Sequence, residues 1–257
     1  MKDQIQAVLL GVERVGDVRI FYACESGSRA WGFASEDSDY DVRFLYAHRP
    51  EWYLSIDVEE KSDVIERPVE DGLDVIGWDL RKALKLFRKS NPPLLEWLRS
   101  PIVYLDKFGI ADQLRSLLPG YYSPTACLYH YLHMARGNYR EYLQGDVVWV
   151  KKYLYVLRPL LAIKWIEEDR GVVPLEFERL LHGVVRCPNL KKEILVLVER
   201  KKAGRELDQG PKVPVISDFI EAELARLETK TMAPAERKAG NDRLNEVFRS
   251  ALNTVWS

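Results

Sequence analysis

The sequence predicts an α+β protein, with a small mixed-sheet α/β module in front and an all-helical region behind it. Apolar residues alternate along the first 75 or so positions, as in strands, whereas from Asp79 onward they recur about every 3.6 residues, as in helices. The chain has 257 residues, of which 47% are hydrophobic and 30% charged, as is typical of a folded globular protein. We therefore expect two domains, over 1–105 and 106–257.

The front module is expected to contain one helix and four strands. Apolar residues at helical spacing predict a helix over 2–13, and they are Ile5, Val8, Leu9 and Val12. The runs that follow are rich in β-branched and aromatic residues, which favour strands. The predicted strands cover 18–23, 40–46, 62–66 and 73–78.

The rear region begins where Asp79 can cap a helix. The apolar face of that helix would be Leu80, Ala83, Leu84 and Phe87, and the Asn-Pro-Pro sequence at 91–93 would end it. Further helices are predicted over 94–98, 110–118, 124–144, 149–169, 175–183, 189–203, 214–229 and 234–253.

The net charge of −1 hides an asymmetry between the two parts of the chain. Residues 1–80 carry 8 Lys and Arg against 18 Asp and Glu, whereas residues 81–257 carry 30 against 21. Such an asymmetry can indicate a nucleic acid or another polyanionic partner. The basic helix after Asp79, with Arg81, Lys82, Lys85, Arg88 and Lys89, is interpreted as a solvated face, with phosphate or acceptor contact as the alternative.

Several classes of protein are excluded. The chain has no run of about 18 apolar residues, so we expect no membrane span. Its first residues do not resemble a signal peptide. Cys24, Cys127 and Cys187 are odd in number and far apart, which indicates reduced thiols without structural zinc and a cytoplasmic location.

One stretch, residues 23–42, carries the pattern of a reactive site. A strand ends at Gly27-Ser28, and a turn of small residues at a helix start lets backbone N–H groups approach a phosphate. Asp39 and Asp41 then open the next strand, and side chains at i and i+2 of a strand point to one face, with Cα atoms roughly 6.6 Å apart. Carboxylates held in this way can share two divalent cations, so the stretch combines a phosphate turn with a metal site.

Three other interpretations of this stretch fail. An EF-hand loop starting at Asp37 would need Gly and Glu where the chain has Val42 and His48. A Walker A loop would need Lys-Ser/Thr after Gly32, and a dinucleotide fingerprint would need G-x-G-x-x-G.

The motif resembles the DNA polymerase β-like nucleotidyltransferase superfamily, whose signature is a Gly-Ser turn, a spacer of about ten residues and Asp-hydrophobic-Asp. Gly27-Ser28 and Asp39-Tyr40-Asp41-Val42 match it. Together with GWDLRKAL, KSNPPLLEWLRSPIVY and KKYLYVLRPLLA, the stretch GSRAWGFASEDSDYDVRF is similar to the RlaP type, linked to RNA repair, over about residues 20–165. The superfamily expects a third carboxylate on a later strand, for which Asp74 is the first candidate and Asp79 the second.

The resemblance implies a metal-dependent transfer of a nucleoside monophosphate from an NTP to a hydroxyl acceptor, with release of pyrophosphate. The expected cofactor is Mg²⁺, as two ions on Asp39, Asp41 and Asp74, with Mn²⁺ as a substitute. Gly27 and Ser28 would hold phosphates. The other expected nucleotide contacts are Arg29, Arg43, Lys151, Lys152, Tyr153 and Arg158.

An RNA end, such as that of a tRNA, is the favoured acceptor. The alternatives are nucleotidylation of a small molecule or a protein side chain, and a nucleotide- or RNA-binding relative without catalysis. Arg29 could instead form a surface ion pair, and Arg43 could either neutralise the carboxylates or reach the substrate.

Overall fold

A computed structural model describes residues 1–204, 208–230 and 240–257. The helices are α1 Lys2–Gly16, α2 Gly27–Trp31, α3 Pro50–Tyr53, α4 Leu80–Arg88, α5 Pro92–Trp97, α6 Ile110–Tyr121, α7 Pro124–Tyr142, α8 Lys152–Glu167, α9 Phe177–Val184, α10 Pro188–Lys202, α11 Pro214–Glu228 and α12 Asp242–Trp256. The strands are β1 Val18–Glu25, β2 Tyr40–His48, β3 Val64–Glu70, β4 Leu73–Asp79, β5 Val103–Asp106, β6 Val147–Trp149 and β7 Gln209–Pro211.

A five-stranded mixed sheet in the order β3-β4-β2-β1-β5 forms the scaffold of the front module. β2 and β4 run parallel, and the other neighbouring pairs are antiparallel. β1 is buried over nearly its whole length, which explains its continuous run of apolar residues. Helix α1 contributes Ile5, Leu9 and Val12 to the apolar core that this sheet forms.

The parallel pairing of β2 with β4 sets the register that matters for function. Tyr40 lies opposite Leu73, and Asp41 lies opposite Asp74. Adjacent strands are about 4.8 Å apart, so this register places the two aspartates side by side at the start of both strands.

The chain forms two compact units that interleave along the sequence. The first contains Met1–Ala30, Asp39–Tyr122 and the described part of Arg237–Ser257, so it includes α12 as well as the sheet. Within it, the indole Nε1 of Trp256 donates to the His48 carbonyl at 2.8 Å, which fixes the end of α12 beside β2. The division into domains 1–105 and 106–257 remains a prediction. The two compact units have other boundaries in the sequence.

The second unit contains Trp31–Ser38 and the described part of Ser123–Glu236. Its helices surround α8, and the ring of Phe33 packs edge-on against Phe177 at 5.5 Å. Lys201 Nζ lies 3.3 Å from Ser35 Oγ and 3.2 Å from Ser38 Oγ, which ties the segment 31–38 to α10. The antiparallel ribbon of β6 and β7 also belongs to this unit.

The α+β fold class is confirmed, and the four predicted strands correspond to β1 to β4. Asp79 is the N-cap of α4, accepting from Arg81 N at 2.7 Å, as predicted. The short edge strand β5 was not predicted, and the ribbon strand β6 delays α8 to Lys152. Of the helix predicted over 234–253, residues 234–239 lie outside the described part of the chain. No helix in the described residues is both long and apolar enough to span a bilayer.

Candidate active site

Two carboxylates and one guanidinium form the centre of the candidate site. Arg43 Nη2 lies 3.0 Å from Asp41 Oδ1 and 2.7 Å from Asp74 Oδ2. Arg43 Nη1 also donates to the carbonyl of Asp74 at 3.0 Å, so the side chain bridges β2 and β4. Of the two roles open to Arg43, neutralising the carboxylates is the one seen here.

Gly27 makes room for the carboxylate of Asp41. A Cβ on Gly27 would lie 1.9 Å from Asp41 Oδ2, so any other residue at this position would force the carboxylate to move. Gly27 also has φ +57°, a conformation that favours glycine. The first residue of α2 and the carboxylate on β2 are therefore close together, and both this contact and the backbone conformation favour glycine.

Asp41 is also held from its backbone side by a buried acid that the sequence did not identify. The amide of Asp41 donates to Glu25 Oε1 at 2.7 Å, and Glu25 is fully buried. The hydroxyl of Tyr104 on β5 donates to the other oxygen of Glu25. Burial raises the pKa of Glu25, and the Tyr104 hydrogen bond opposes that rise. An acid at the end of an apolar strand was the available sequence signal.

Asp39 lies exposed at the entrance to β2. The amide of Tyr40 donates to the Gly72 carbonyl at 2.7 Å, which fixes this entrance to β4. Arg29 Nε donates to the carbonyl of Asp39 at 3.3 Å, and its guanidinium carbon lies 3.7 Å from the centre of the Tyr40 ring. Arg29 is thus directed toward the entrance of β2.

Charge repulsion and burial act together on Asp41. Burial raises its pKa, the Arg43 guanidinium lowers it, and the charges of Asp74 and Asp39 raise it again, with a net upward shift. A cation that joins Arg43 or replaces it would stabilise the charged form of the Asp41 carboxylate.

Asp79 lies at the other end of β4 and serves a different purpose. It is fully buried, caps α4, and accepts from the Tyr53 hydroxyl at 2.5 Å. Burial raises its pKa to about 6, although the bond from Tyr53 opposes the rise. Of the two candidates for the third carboxylate, Asp74 is the one beside Asp41.

Comparison with known proteins identifies the family of this chain. The family model described as "RlaP: RNA repair pathway DNA polymerase beta family" matches residues 1–250. The chain belongs to this family. Over all its 257 residues it is 50% identical to "Uncharacterized protein YcgL" of Bacillus subtilis (strain 168), covering 98% of that protein. A nucleotidyltransferase-like protein from Exiguobacterium sibiricum 255-15 aligns with 97% of this chain and 80% of its own, with 12% identity and a TM-score of 0.35.

Polymerase β-like family membership raises the question of whether these residues fit a divalent cation. The donor set consists of carboxylate oxygens, which Mg²⁺ prefers. Oxygens of Asp41 and Asp74 converge on one cationic nitrogen of Arg43, so the two carboxylates already face a single positive charge. Within the described ranges no three acidic, His or Cys side chains are grouped as a complete metal site, so ion binding requires some rearrangement. The chemistry of the donors therefore suits such an ion, whereas their present arrangement, with Arg43 between the carboxylates, does not form a site for it.

The basic residues predicted to contact nucleotide in the rear region lie in the second unit. Lys151 is exposed, and Lys152 Nζ lies 4.0 Å from the Tyr142 ring centre. Burial lowers the pKa of Lys152, and the charge of Lys151 lowers it further.

Tyr153 and Arg158 of the same predicted set are buried in the core of the second unit. The Tyr153 hydroxyl is 2.6 Å from Ser217 Oγ, and the guanidinium carbon of Arg158 is 4.5 Å from the Trp31 ring centre. Nucleotide contact by these residues stays a prediction that their burial does not support, whereas packing accounts for both.

Proposed function

We propose that this protein transfers a nucleoside monophosphate from an NTP to a hydroxyl of an acceptor RNA, such as a tRNA end, and releases pyrophosphate. The observation that supports this most strongly is the convergence of Asp41 and Asp74 on one cationic nitrogen, directly beside Gly27. The RNA acceptor is supported by the description of the family and by the basic balance of residues 81–257.

The carboxylates of Asp39, Asp41 and Asp74 would hold divalent cations, with Mg²⁺ or Mn²⁺ as the expected ions. When bound, these ions neutralise charge on the triphosphate and lower the pKa of the acceptor hydroxyl. Arg43 would release at least one of its two carboxylates to admit an ion and could then turn toward the nucleotide. The Glu25–Tyr104 pair would keep the backbone of Asp41 in place during this exchange.

The transfer step would form one bond and break one. The acceptor oxygen attacks the α-phosphorus, the bond from that phosphorus to the bridging oxygen breaks, and pyrophosphate carries away the electron pair. Asp74 would accept the proton of the attacking hydroxyl and pass it to solvent. Gly27, Ser28 and Arg29 would bind the β- and γ-phosphates through the turn that opens α2.

We place the reaction in the cytoplasm. Cys24, Cys127 and Cys187 are all free thiols, and two of them are buried. Proteins of reducing compartments keep their thiols in this form.

The test is incorporation of labelled NTPs in the presence of Mg²⁺ and a panel of RNAs. We expect label at an RNA end, with pyrophosphate formed in equal amount, and no incorporation when the metal is chelated. Label in an aminoglycoside or in protein would transfer the assignment to another acceptor. Absence of incorporation with every NTP, acceptor and divalent ion would contradict the proposal.

A further inference from the structure

A basic cleft lies between α4 and α12, both of which belong to the first unit. Its volume is about 240 Å³. Three cationic side chains of α4 line it, namely Arg81, Lys85 and Arg88. Their spacing of four and three residues places them on one face of the helix. We call this feature the α4–α12 cleft.

The opposite wall of the α4–α12 cleft presents amide side chains. Asn241, the N-cap of α12, and Asn245, in its first turn, line this wall. Asn241 Oδ1 accepts from Arg88 Nη1 at 2.5 Å, which orients the guanidinium across the cleft. Amide N–H groups and guanidinium forks are both donors that suit phosphate oxygens.

The floor of the cleft is apolar. Leu84 and Leu244 are buried there, and Phe248 is half-buried with its ring packed edge-on against Tyr53 at 5.0 Å. A cationic rim above an apolar floor suits a sugar-phosphate unit, whose phosphate is charged and whose ribose or base presents apolar faces.

The ion pairs that Arg81 and Lys85 already form do not prevent these side chains from binding a phosphate. Arg81 and Lys85 both pair with Glu59, which is strongly exposed, and Lys85 Nζ is 3.5 Å from Glu59 Oε2. Exposed ion pairs of this kind contribute only about 0–1 kcal/mol, so a phosphate can displace Glu59 at little cost.

Size and position favour a polymer over a free nucleotide. Complete small-molecule sites usually have volumes of about 300–1,000 Å³, so a cleft of about 240 Å³ suits one unit of a longer ligand. β4 leads from Asp74 to Asp79, directly before α4, and its rise of about 3.3 Å per residue spans roughly 16 Å. A ligand that contacts both the carboxylates and the cleft has to extend along this strand and beyond it, as an RNA chain can.

We propose that the α4–α12 cleft binds the sugar-phosphate backbone of the acceptor RNA at a distance from the reacting end. This inference rests on the proposed function, because it takes RNA as the acceptor. The cleft holds the RNA through phosphate contacts that are independent of base sequence and adds affinity without taking part in bond formation.

The experiment measures binding of a labelled single-stranded RNA to the full-length protein across a range of salt concentrations. Charge-removing substitutions Arg81→Gln and Arg88→Gln are combined, and Lys89→Gln, at the C-cap directly after α4 and not among the cleft-lining residues, is the control. We expect the double variant to bind about tenfold more weakly, with a salt slope smaller by about 0.7 for each phosphate that is no longer neutralised. The Lys89→Gln variant should bind like the wild type. Melting temperatures confirm that all variants are folded.

A gain of binding gives a second, opposite test. Glu59→Gln frees Arg81 and Lys85, so RNA affinity should increase several-fold, a result that a purely structural role of these residues would not produce. Unchanged affinity and salt slope in the double variant would overturn the inference. Equal binding of polyglutamate, abolished in the same variants, would also overturn it, since the cleft would then suit an acidic protein.

Transfer kinetics separate this inference from the proposed function. The double variant should raise KM for RNA and leave kcat close to the wild-type value. Intact transfer with unchanged RNA binding in the double variant would contradict only the role of the cleft in RNA binding. Wild-type protein that binds RNA through the cleft and transfers no nucleotide would contradict the proposed function alone.

Discussion

The two ends of strand β4 carry the same residue type in opposite environments. Asp74, at its start, is partly exposed and shares Arg43 with Asp41 across the parallel strand pair. Asp79, at its end, is fully buried and its oxygens are satisfied by Tyr53 and by the backbone of α4. We infer that a partly exposed aspartate, whose ion pair can be replaced, is suited to bind a cation. A buried aspartate whose hydrogen bonds are all made within the protein stabilises the fold instead.

Among substitutions that leave every carboxylate in place, the largest effect is expected from crowding Asp41, which lies beside Asp74. Gly27→Ala would place a methyl group within 1.9 Å of Asp41 Oδ2, so the carboxylate must move. A displacement of about 1 Å at a reacting centre costs about 100-fold in rate, and we expect at least that loss of transfer. Initial rates of NTP incorporation measure it.

Gly72→Ala is the matched control for that substitution. Gly72 also has positive φ, +71°, but its added Cβ would meet Asp39 Oδ1 at an ordinary 3.6 Å. We expect a stability loss of about 1–2 kcal/mol from the backbone with transfer largely retained. Equal losses of transfer in both variants would show that backbone strain, rather than contact with Asp41, matters.

At the other end of β4, Asp79 should make the stability of the protein depend on pH. The folded protein raises the pKa of Asp79 from 3.8 to about 6, so it holds the proton more strongly than the unfolded chain. The resulting stabilisation is present below pH 4 and is lost as the pH rises to about 6, by at most about 3 kcal/mol. Asp79→Asn keeps a capping oxygen and should remove this component.

Urea unfolding of wild type and Asp79→Asn at several pH values checks that expectation. The difference between their free energies of unfolding should change with pH in that interval and be flat above it. A constant difference throughout would mean that Asp79 has an ordinary pKa in the folded protein.

A smaller effect is expected from the hydroxyl that faces Asp79. Tyr53→Phe removes a donor to Asp79 and an acceptor for the His48 amide at 3.0 Å while keeping the ring. We expect a loss of about 1–2 kcal/mol in the free energy of unfolding, a further rise in the pKa of Asp79, and no change in transfer. Chemical denaturation and rate measurements on the same preparation would detect any departure from this pattern.

Local patterns allowed much of the front module to be predicted. Runs of β-branched and aromatic residues identified β1 to β4, and the Asp79 cap followed from one residue and the apolar face behind it. The choice between the two predicted roles of Arg43 could not be made from the sequence, because it depends on the register between β2 and β4, which pairs residues about 30 positions apart. The support of Asp41 by Glu25 and Tyr104 depends on β5, a strand of four residues that leaves little periodic signal.

The sequence of helix α8 already contained a pattern that indicates a buried helix. Apolar residues occupy all sides of this helix, a pattern typical of a buried helix. Tyr153 and Arg158 were predicted as nucleotide contacts on the strength of resemblance, whereas the pattern around them predicts the core position that the structure shows.

Rates of NTP incorporation for Asp74→Asn and Asp79→Asn, measured side by side at saturating Mg²⁺, test the central claim most directly. Both variants keep the side-chain shape, so each removes one carboxylate charge from one end of β4. We expect Asp74→Asn to lose about 1,000-fold in rate and to bind Mn²⁺ more weakly, while Asp79→Asn stays within about twofold of wild type. Comparable losses in both variants, or full activity in Asp74→Asn, would contradict the assignment of Asp74 to the cation site.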